Sequence, residues 1–225
     1  MKTWAEKMGG KNVIVIEQGV DSNLMQKLPK DNILMKKLSI NFNDQIVMYL
    51  GSILSHSGLE LILNSIPNIL KEIPNFKLLI VGDGPNLSSL KQQAKKLGIS
   101  EKVIFTGFVP YKEVPKFCSL ANLCINSFRI NDMTVKLSPV KIFDFMSCGK
   151  PVLATPLKGM LHDFPKDSET IIYEDLNNFE EKIISLLQKE CLEEIGDRCR
   201  KFVKEYFTWE IVAQKILDEF EKMKN

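Results

Sequence analysis

Short apolar and β-branched runs alternate with stretches whose apolar residues recur every three or four positions, and the alternation is regular from Gln45 to Tyr173. Gln45 to Gly51, Phe76 to Val81, Lys102 to Phe105, Ala121 to Ser127, Pro151 to Ala154 and Thr170 to Tyr173 read as buried strands. Gly58 to Leu70 places Leu59, Ile62, Leu63, Ile66 and Leu70 on one side of a helix, and Asn86 to about Leu97 forms the next. Leu176 to Leu187 and Leu192 to Phe207 are amphipathic helices, and Thr208 caps a last helix that begins at Trp209 and passes Phe220. Upstream, residues 1–10 have helical spacing and stop at Gly9-Gly10, and the β-branched run Asn12 to Ile16 reads as a strand before the turn Glu17 to Asp21. This pattern predicts an α/β fold: one Rossmann-like, doubly wound, mostly parallel sheet with helices on both faces. Right-handed crossovers then gather the loops after Gly51, Val81, Phe105 and Ser127 around one crevice at the carboxyl edge of the sheet, where open α/β folds place ligands.

The tip of one more helix belongs to that rim. In Ser138-Pro-Val-Lys-Ile-Phe-Asp-Phe-Met-Ser-Cys-Gly-Lys-Pro-Val152, Ser138 suits the N-cap, Pro139 the first helical position, and Gly149 a left-handed stop. Ile142, Phe143, Phe145 and Met146 make this helix apolar nearly all round, as when a helix is wedged between a sheet and another layer. Asp144 interrupts them, and Lys141 shares its edge. On periodicity alone the two read as an ordinary surface ion pair, worth little; a capped helix end with a lysine and an acid could equally hold an anion and a diol.

Composition changes this picture little. A chain of 225 residues that is 44% hydrophobic and 26% charged is that of an ordinary globular protein with one substantial core. The formal net charge of +2, with no arginine and aromatic stripe, argues against nucleic acid as a partner. No apolar run is long enough to span a bilayer and no signal segment opens the chain, so the expected location is cytoplasmic, with peripheral membrane association left open. Five cysteines without C-x-x-C spacing and only His56 and His162 beside them predict free thiols and no zinc site.

The segment from Ser138 to Val152 resembles S-P-x-K-x-x-E-(Y/F)-M-x-x-G-x-P-V of the retaining nucleotide-sugar glycosyltransferases of family four, also called group 1, which have the GT-B fold. The likeness extends from about Asn12 to Phe220: Val15 to Asp21 is similar to V-I-P-N-G-V-D, Gly82-Asp-Gly-Pro85 to G-D-G-P, and Phe207-Thr-Trp-Glu210 to F-(S/T)-W-E. It implies that Asp144 holds the ribose hydroxyls of a nucleoside-diphosphate sugar and that Ser138 and Lys141 face the diphosphate and sugar. It also implies that Phe108 and Val109 border the base, and that Gly51 and Gly82 lie on the donor rim. No metal or other cofactor is implied. It covers one lobe of a two-lobed architecture. Residues 1–10 correspond to a remnant or linker helix of an N-terminal lobe, 11–207 to the nucleotide-sugar-binding domain, and 208–225 to a crossing helix. The partner implied is an N-terminal acceptor-binding lobe or a separate subunit.

Glu17 and Gln18 replace the usual proline and asparagine of the turn, Asp144 is one methylene shorter than the usual glutamate, and three further positions depart from the family pattern. Ser52 and Ser57 stand where G-R-x-x-x-x-K-G has its arginine and lysine, and Lys136 stands where an acid usually precedes the helix acid. Losing two charge-assisted contacts of roughly 1.5–3 kcal/mol each weakens diphosphate binding unless Lys141, Lys136 or His56 compensates. The leading expectation is therefore the donor-binding half of a retaining hexosyltransferase, inactive alone. The alternative is a non-catalytic nucleotide-fold module that has lost donor binding. A nucleotide-sugar epimerase ranks last because its acid and histidine constellation is not visible.

Overall fold

A computed structural model of the chain describes residues 2–11, 13–189 and 191–224. Met1, Asn12, Glu190 and Asn225, which fall within the ranges predicted above, lie outside the described residues. The strands are β1 (Gln45–Leu50), β2 (Phe76–Val81), β3 (Val103–Gly107), β4 (Leu123–Asn126), β5 (Val152–Ala154) and β6 (Ile171–Tyr173). They form one six-stranded sheet in the order β3-β2-β1-β4-β5-β6, and every pairing is parallel. This is the doubly wound order, and the direction of winding reverses between β1 and β4.

Period-two alternation divides the core into two layers. Ile46 and Met48 of β1 face one cluster, while Val47 and Tyr49 face the other. The second layer is covered by α3 (Leu59–Glu72), α4 (Leu87–Lys96) and α8 (Phe179–Leu187), which bring Leu63, Leu90 and Ile183 against the sheet. The first is covered by α5 (Val114–Leu120), α6 (Val140–Ser147), α7 (Lys158–Asp163) and α9 (Leu192–Tyr206). The helices α1 (Lys2–Lys7), α2 (Asn32–Lys37) and α10 (Trp209–Lys224) complete the described elements. None of the described helices is long and apolar enough to cross a membrane.

Three local expectations are corrected. The run from Val13 to Ile16 forms no strand: among the described residues it finds no ladder partner, Ile14 and Val15 stay exposed, and the chain docks only beyond it, at Glu17, which pairs with Lys215, and at Val20, which bridges to Thr208. Ser138 is not the N-cap of α6, and Pro139 is not its first residue. The cap is Pro139 itself, extended at φ −66° and ψ 130°, so the helix begins at Val140. A residue before proline is held extended, and Ser138 is left with a buried hydroxyl that has no partner among the described residues. Finally, α2, α5 and α7 were not predicted. Each has only six or seven residues, too short for periodicity to show, and tertiary packing rather than intrinsic propensity sustains such helices.

The C-terminal end of α6 follows the sequence reading. Gly149 turns left-handed at φ +68°, and the N–H groups of Lys150 and Gly149 return to the carbonyls of Phe145 and Met146, both at 2.9 Å. The layer outside α6 is α9, which crosses it at Gly196. A Cβ at Gly196 would lie 2.1 Å from the Gly149 carbonyl oxygen. In an open helix Gly→Ala gains about 1 kcal/mol, but overpacking here costs roughly 1–3 kcal/mol. Gly196→Ala is therefore expected to lower the urea midpoint; a midpoint equal to or above that of the parent protein contradicts this account of how α6 is clamped.

Candidate functional site

At the carboxyl edge the loops after β1, β2 and β3 are joined backbone to backbone. Gly51 N–H donates to Val81 O and Ile53 N–H to Asp83 O, both at 2.9 Å, and Gly82 N–H donates to Gly107 O at 3.0 Å. Gly82, at φ +143°, approaches so closely that a Cβ would sit 2.0 Å from the Gly51 carbonyl oxygen. Gly51 and Gly82 thus lie on the rim, Gly82 for its close backbone approach and Gly51 for its positive φ of +118°.

The two serines in this region behave differently. Ser52 is exposed. Ser57 is buried and its hydroxyl is spent inside the loop: Oγ accepts from Leu54 N–H and from the Tyr49 hydroxyl, both at 3.0 Å, and donates to Ser52 O at 3.2 Å. Ser57 is corrected from a rim contact to the residue that shapes the turn. Beside it, His56 is half-buried with its ring edge-on to Phe128 at 5.0 Å, and its carbonyl accepts from Arg129 N–H at 2.8 Å.

Lys141 and Asp144 do not form the surface ion pair that periodicity suggests. Both are buried, and they turn toward different neighbours. The Lys141 ammonium lies 3.9 Å from the centroid of the Tyr49 ring and 4.3 Å from that of Phe128. Tyr49 belongs to β1 and Phe128 follows β4, so the ammonium sits where the winding of the sheet reverses. Among the described residues it has no hydrogen bond and no ion pair, and burial drives its pKa well below the ordinary lysine value. The two ring faces, whose quadrupoles favour a cation, oppose that drift.

Asp144 points to the β3 side of the rim. Only 3% exposed, it accepts a 2.7 Å hydrogen bond at Oδ1 from the Tyr111 hydroxyl. Burial raises its pKa to about 6, with the Tyr111 hydrogen bond pulling in the other direction. Tyr111, Tyr49 and Phe128 were not singled out from sequence. An aromatic at a loop or strand end reads as core unless the partner across the sheet is known.

The remaining predicted residues are spread along the same edge. Phe108 is 79% exposed, whereas Val109 packs against the core. Lys136 is exposed; its carbonyl lies over the start of α7, 2.4 Å from where a Cβ of Gly159 would be. Among the described residues, the buried Oδ1 of Asn126, the last residue of β4, and the buried Oγ of Ser138 have no hydrogen-bond partner. Three surface depressions lie apart from Lys141 and Asp144, one of them, of about 480 Å³, along α9 at Asp197 to Glu205. Another of about 580 Å³ is lined by Asn32 to Phe42 near the amino end of β1, and one of about 260 Å³ lies between Leu54, Glu60 and Leu90. Position and chemistry single out the α6 rim; volume does not.

The model of the family described as glycosyl transferases group 1 matches residues 30–206. The chain belongs to this family. A group 1 relative, the GDP-mannose-dependent α-(1-6)-phosphatidylinositol monomannoside mannosyltransferase of Mycolicibacterium smegmatis, is 26% identical over 138 residues, 60% of this chain and 36% of that protein. Among solved structures, HepE of Anabaena in complex with UDP superposes with a TM-score of 0.82 at 19% identity, covering 98% of this chain and 61% of that one. The C-terminal domain of the group 1 protein LpcC from Francisella tularensis gives 0.68 at 18% identity, over 85% of this chain and all of that one. The chain thus spans from about a quarter to three fifths of the longer proteins it resembles, and the structural likeness establishes the α/β fold.

The buried Asp144 gives this site a pH signature. An acid whose pKa rises on folding holds its proton while the unfolded chain has released it, so its stabilising contribution is complete near pH 4 and is lost as pH climbs through about 6. Asp144→Asn removes that loss. The variant should match the parent at pH 4 and exceed it by roughly 2–3 kcal/mol at pH 7.5; urea unfolding at both pH values checks this, and equal stability at both disproves it.

Proposed function

We propose that this chain is the donor-binding half of a retaining glycosyltransferase, holding a nucleoside-diphosphate sugar for transfer to an acceptor hydroxyl presented by an N-terminal lobe or separate subunit. The observation that carries the proposal is the Lys141 ammonium, walled by two aromatic rings and, among the described residues, without a counter-ion. A buried charge costs several kcal/mol unless paired, and cation–π contacts of about 2 kcal/mol when desolvated offset only part of it. A diphosphate supplies the missing anion. Beside it, α6 starts without a side-chain cap; Ile142 N–H donates to Pro139 O at 3.0 Å, and the N–H groups of Val140 and Lys141 are left for the same anion.

The order of groups along the rim fits such a ligand. Phe108 and Val109 after β3 stand at the base end, Asp144 in the middle at the ribose, and Lys141 with Gly51 and exposed Ser52 at the phosphates; Lys136 and Ser138 lie toward the sugar. Negative charge grows on the departing diphosphate, so Lys141 and the helix end stabilise the transition state more than the ground state. Asp144 orients the ribose and moves no proton. The solved complexes of HepE with UDP and with UDP-glucose support a nucleotide-sugar ligand for this fold.

A second reading, a nucleotide-fold module that no longer binds a donor, is favoured by the inward-turned Ser57 and by the Tyr111 hydroxyl on Asp144. Thermal shifts with UDP-, GDP- and ADP-sugars separate the two, because a ligand that binds the folded state raises its melting point with concentration. Under the donor-binding reading, Lys141→Met, which keeps the length and loses the charge, should weaken nucleotide affinity by about tenfold to a hundredfold, as expected for one charge-assisted contact. Calorimetry showing unchanged affinity in that variant, or no nucleotide binding by the parent chain, rejects it.

A further inference from the structure

The loop after β3 carries a residue that nucleotide binding has not yet used. Tyr111 opens a 3-10 turn, Tyr111–Glu113, behind Pro110. Its ring is 47% exposed, yet its hydroxyl donates to Asp144 Oδ1 at 2.7 Å. Among the described residues this is the hydrogen bond that the Asp144 carboxylate has, and a carboxylate so enclosed has little room for a second hydroxyl while the first is in place.

We infer that the Tyr111 hydroxyl is a resident competitor for the ribose, holding Asp144 in the free protein and leaving it when a nucleoside diphosphate enters. The inference rests on the reading of Asp144 as the ribose acid. The exchange is chemically even: a phenol O–H donating to a carboxylate is replaced by a ribose O–H donating to the same oxygen. It is also local. The turn is closed by its backbone, Glu113 N–H to Pro110 O at 2.8 Å, so the side chain can swing out without undoing it. Phe108, three residues earlier, is already exposed, and the two rings together give this loop an aromatic edge beside the acid. Selectivity follows from the exchange. A ligand must offer hydroxyls to displace Tyr111, and one lacking them leaves the tyrosine where it is.

The test compares the parent chain with Tyr111→Phe, which keeps the ring and removes the donor. UDP, GDP and ADP are titrated by calorimetry, followed by the 2′,3′-dideoxy form of the tightest binder. Tyr111→Phe is expected to bind the ribonucleotide about threefold to thirtyfold more tightly, the worth of a hydrogen bond that no longer has to be broken, with the dideoxy affinity unchanged. An unchanged or weaker ribonucleotide affinity, or an equal gain for the dideoxy form, overturns the inference while leaving nucleotide binding intact. If neither protein binds any of the three nucleotides, the donor-binding reading itself falls, and the inference with it.

Discussion

A helix enclosed on both sides normally excludes charge, yet α6 carries a lysine and an aspartate into the interior at its front edge. It can do so because Ile142, Phe143, Phe145 and Met146 are all fully buried on the same eight-residue helix. Burial of such side chains is worth about 1.5–3 kcal/mol each, enough to offset the several kcal/mol that an imperfectly paired buried ion costs. The clamp is mechanical as well. The left-handed stop at Gly149 and the close crossing at Gly196 fix the rear of the helix, so its front edge is held in position before any ligand arrives. Groups fixed in advance do not spend binding energy on ordering themselves.

Most of the architecture was legible because the strands are short, apolar and evenly spaced. Tyr49 and Met48 fall on opposite faces as a period of two requires, and Phe76 to Val81 forms over the range that sequence indicates, while β1 stops at Leu50, one residue before the expected end at Gly51. The strand read at Val13 to Ile16 shows the limit of that reasoning. β-Branched residues fit a pleated surface, but they form a strand only where an edge accepts them. The cap of α6 fails for a related reason: Ser138 has the right side chain for an N-cap, but Pro139, extended and capping the helix itself, delays its start to Val140.

The candidate site was legible in part. Lys141 and Asp144 could be placed on the rim, and the crevice could be placed at the carboxyl edge. Their partners could not. Tyr49 is distant in sequence and reads as an ordinary core residue of β1; Phe128 sits at the start of a loop; Tyr111 precedes an unpredicted helix. What links them to α6 is the reversal of winding between β1 and β4, which brings side chains nearly a hundred positions apart around one ammonium. That reversal belongs to the topology as a whole and leaves no mark in any single stretch.

The backbone seam among Gly51, Gly82 and Gly107 carries a consequence of its own. Because the loops are stitched chiefly through amides and carbonyls, the contour of the rim is insulated from the identity of the residues displayed on it. Serine can stand at position 52, where the resembling pattern has a long cation, without moving the peptide units beneath it. Such a scaffold lets ligand preference drift by exchange of surface groups while the platform stays fixed.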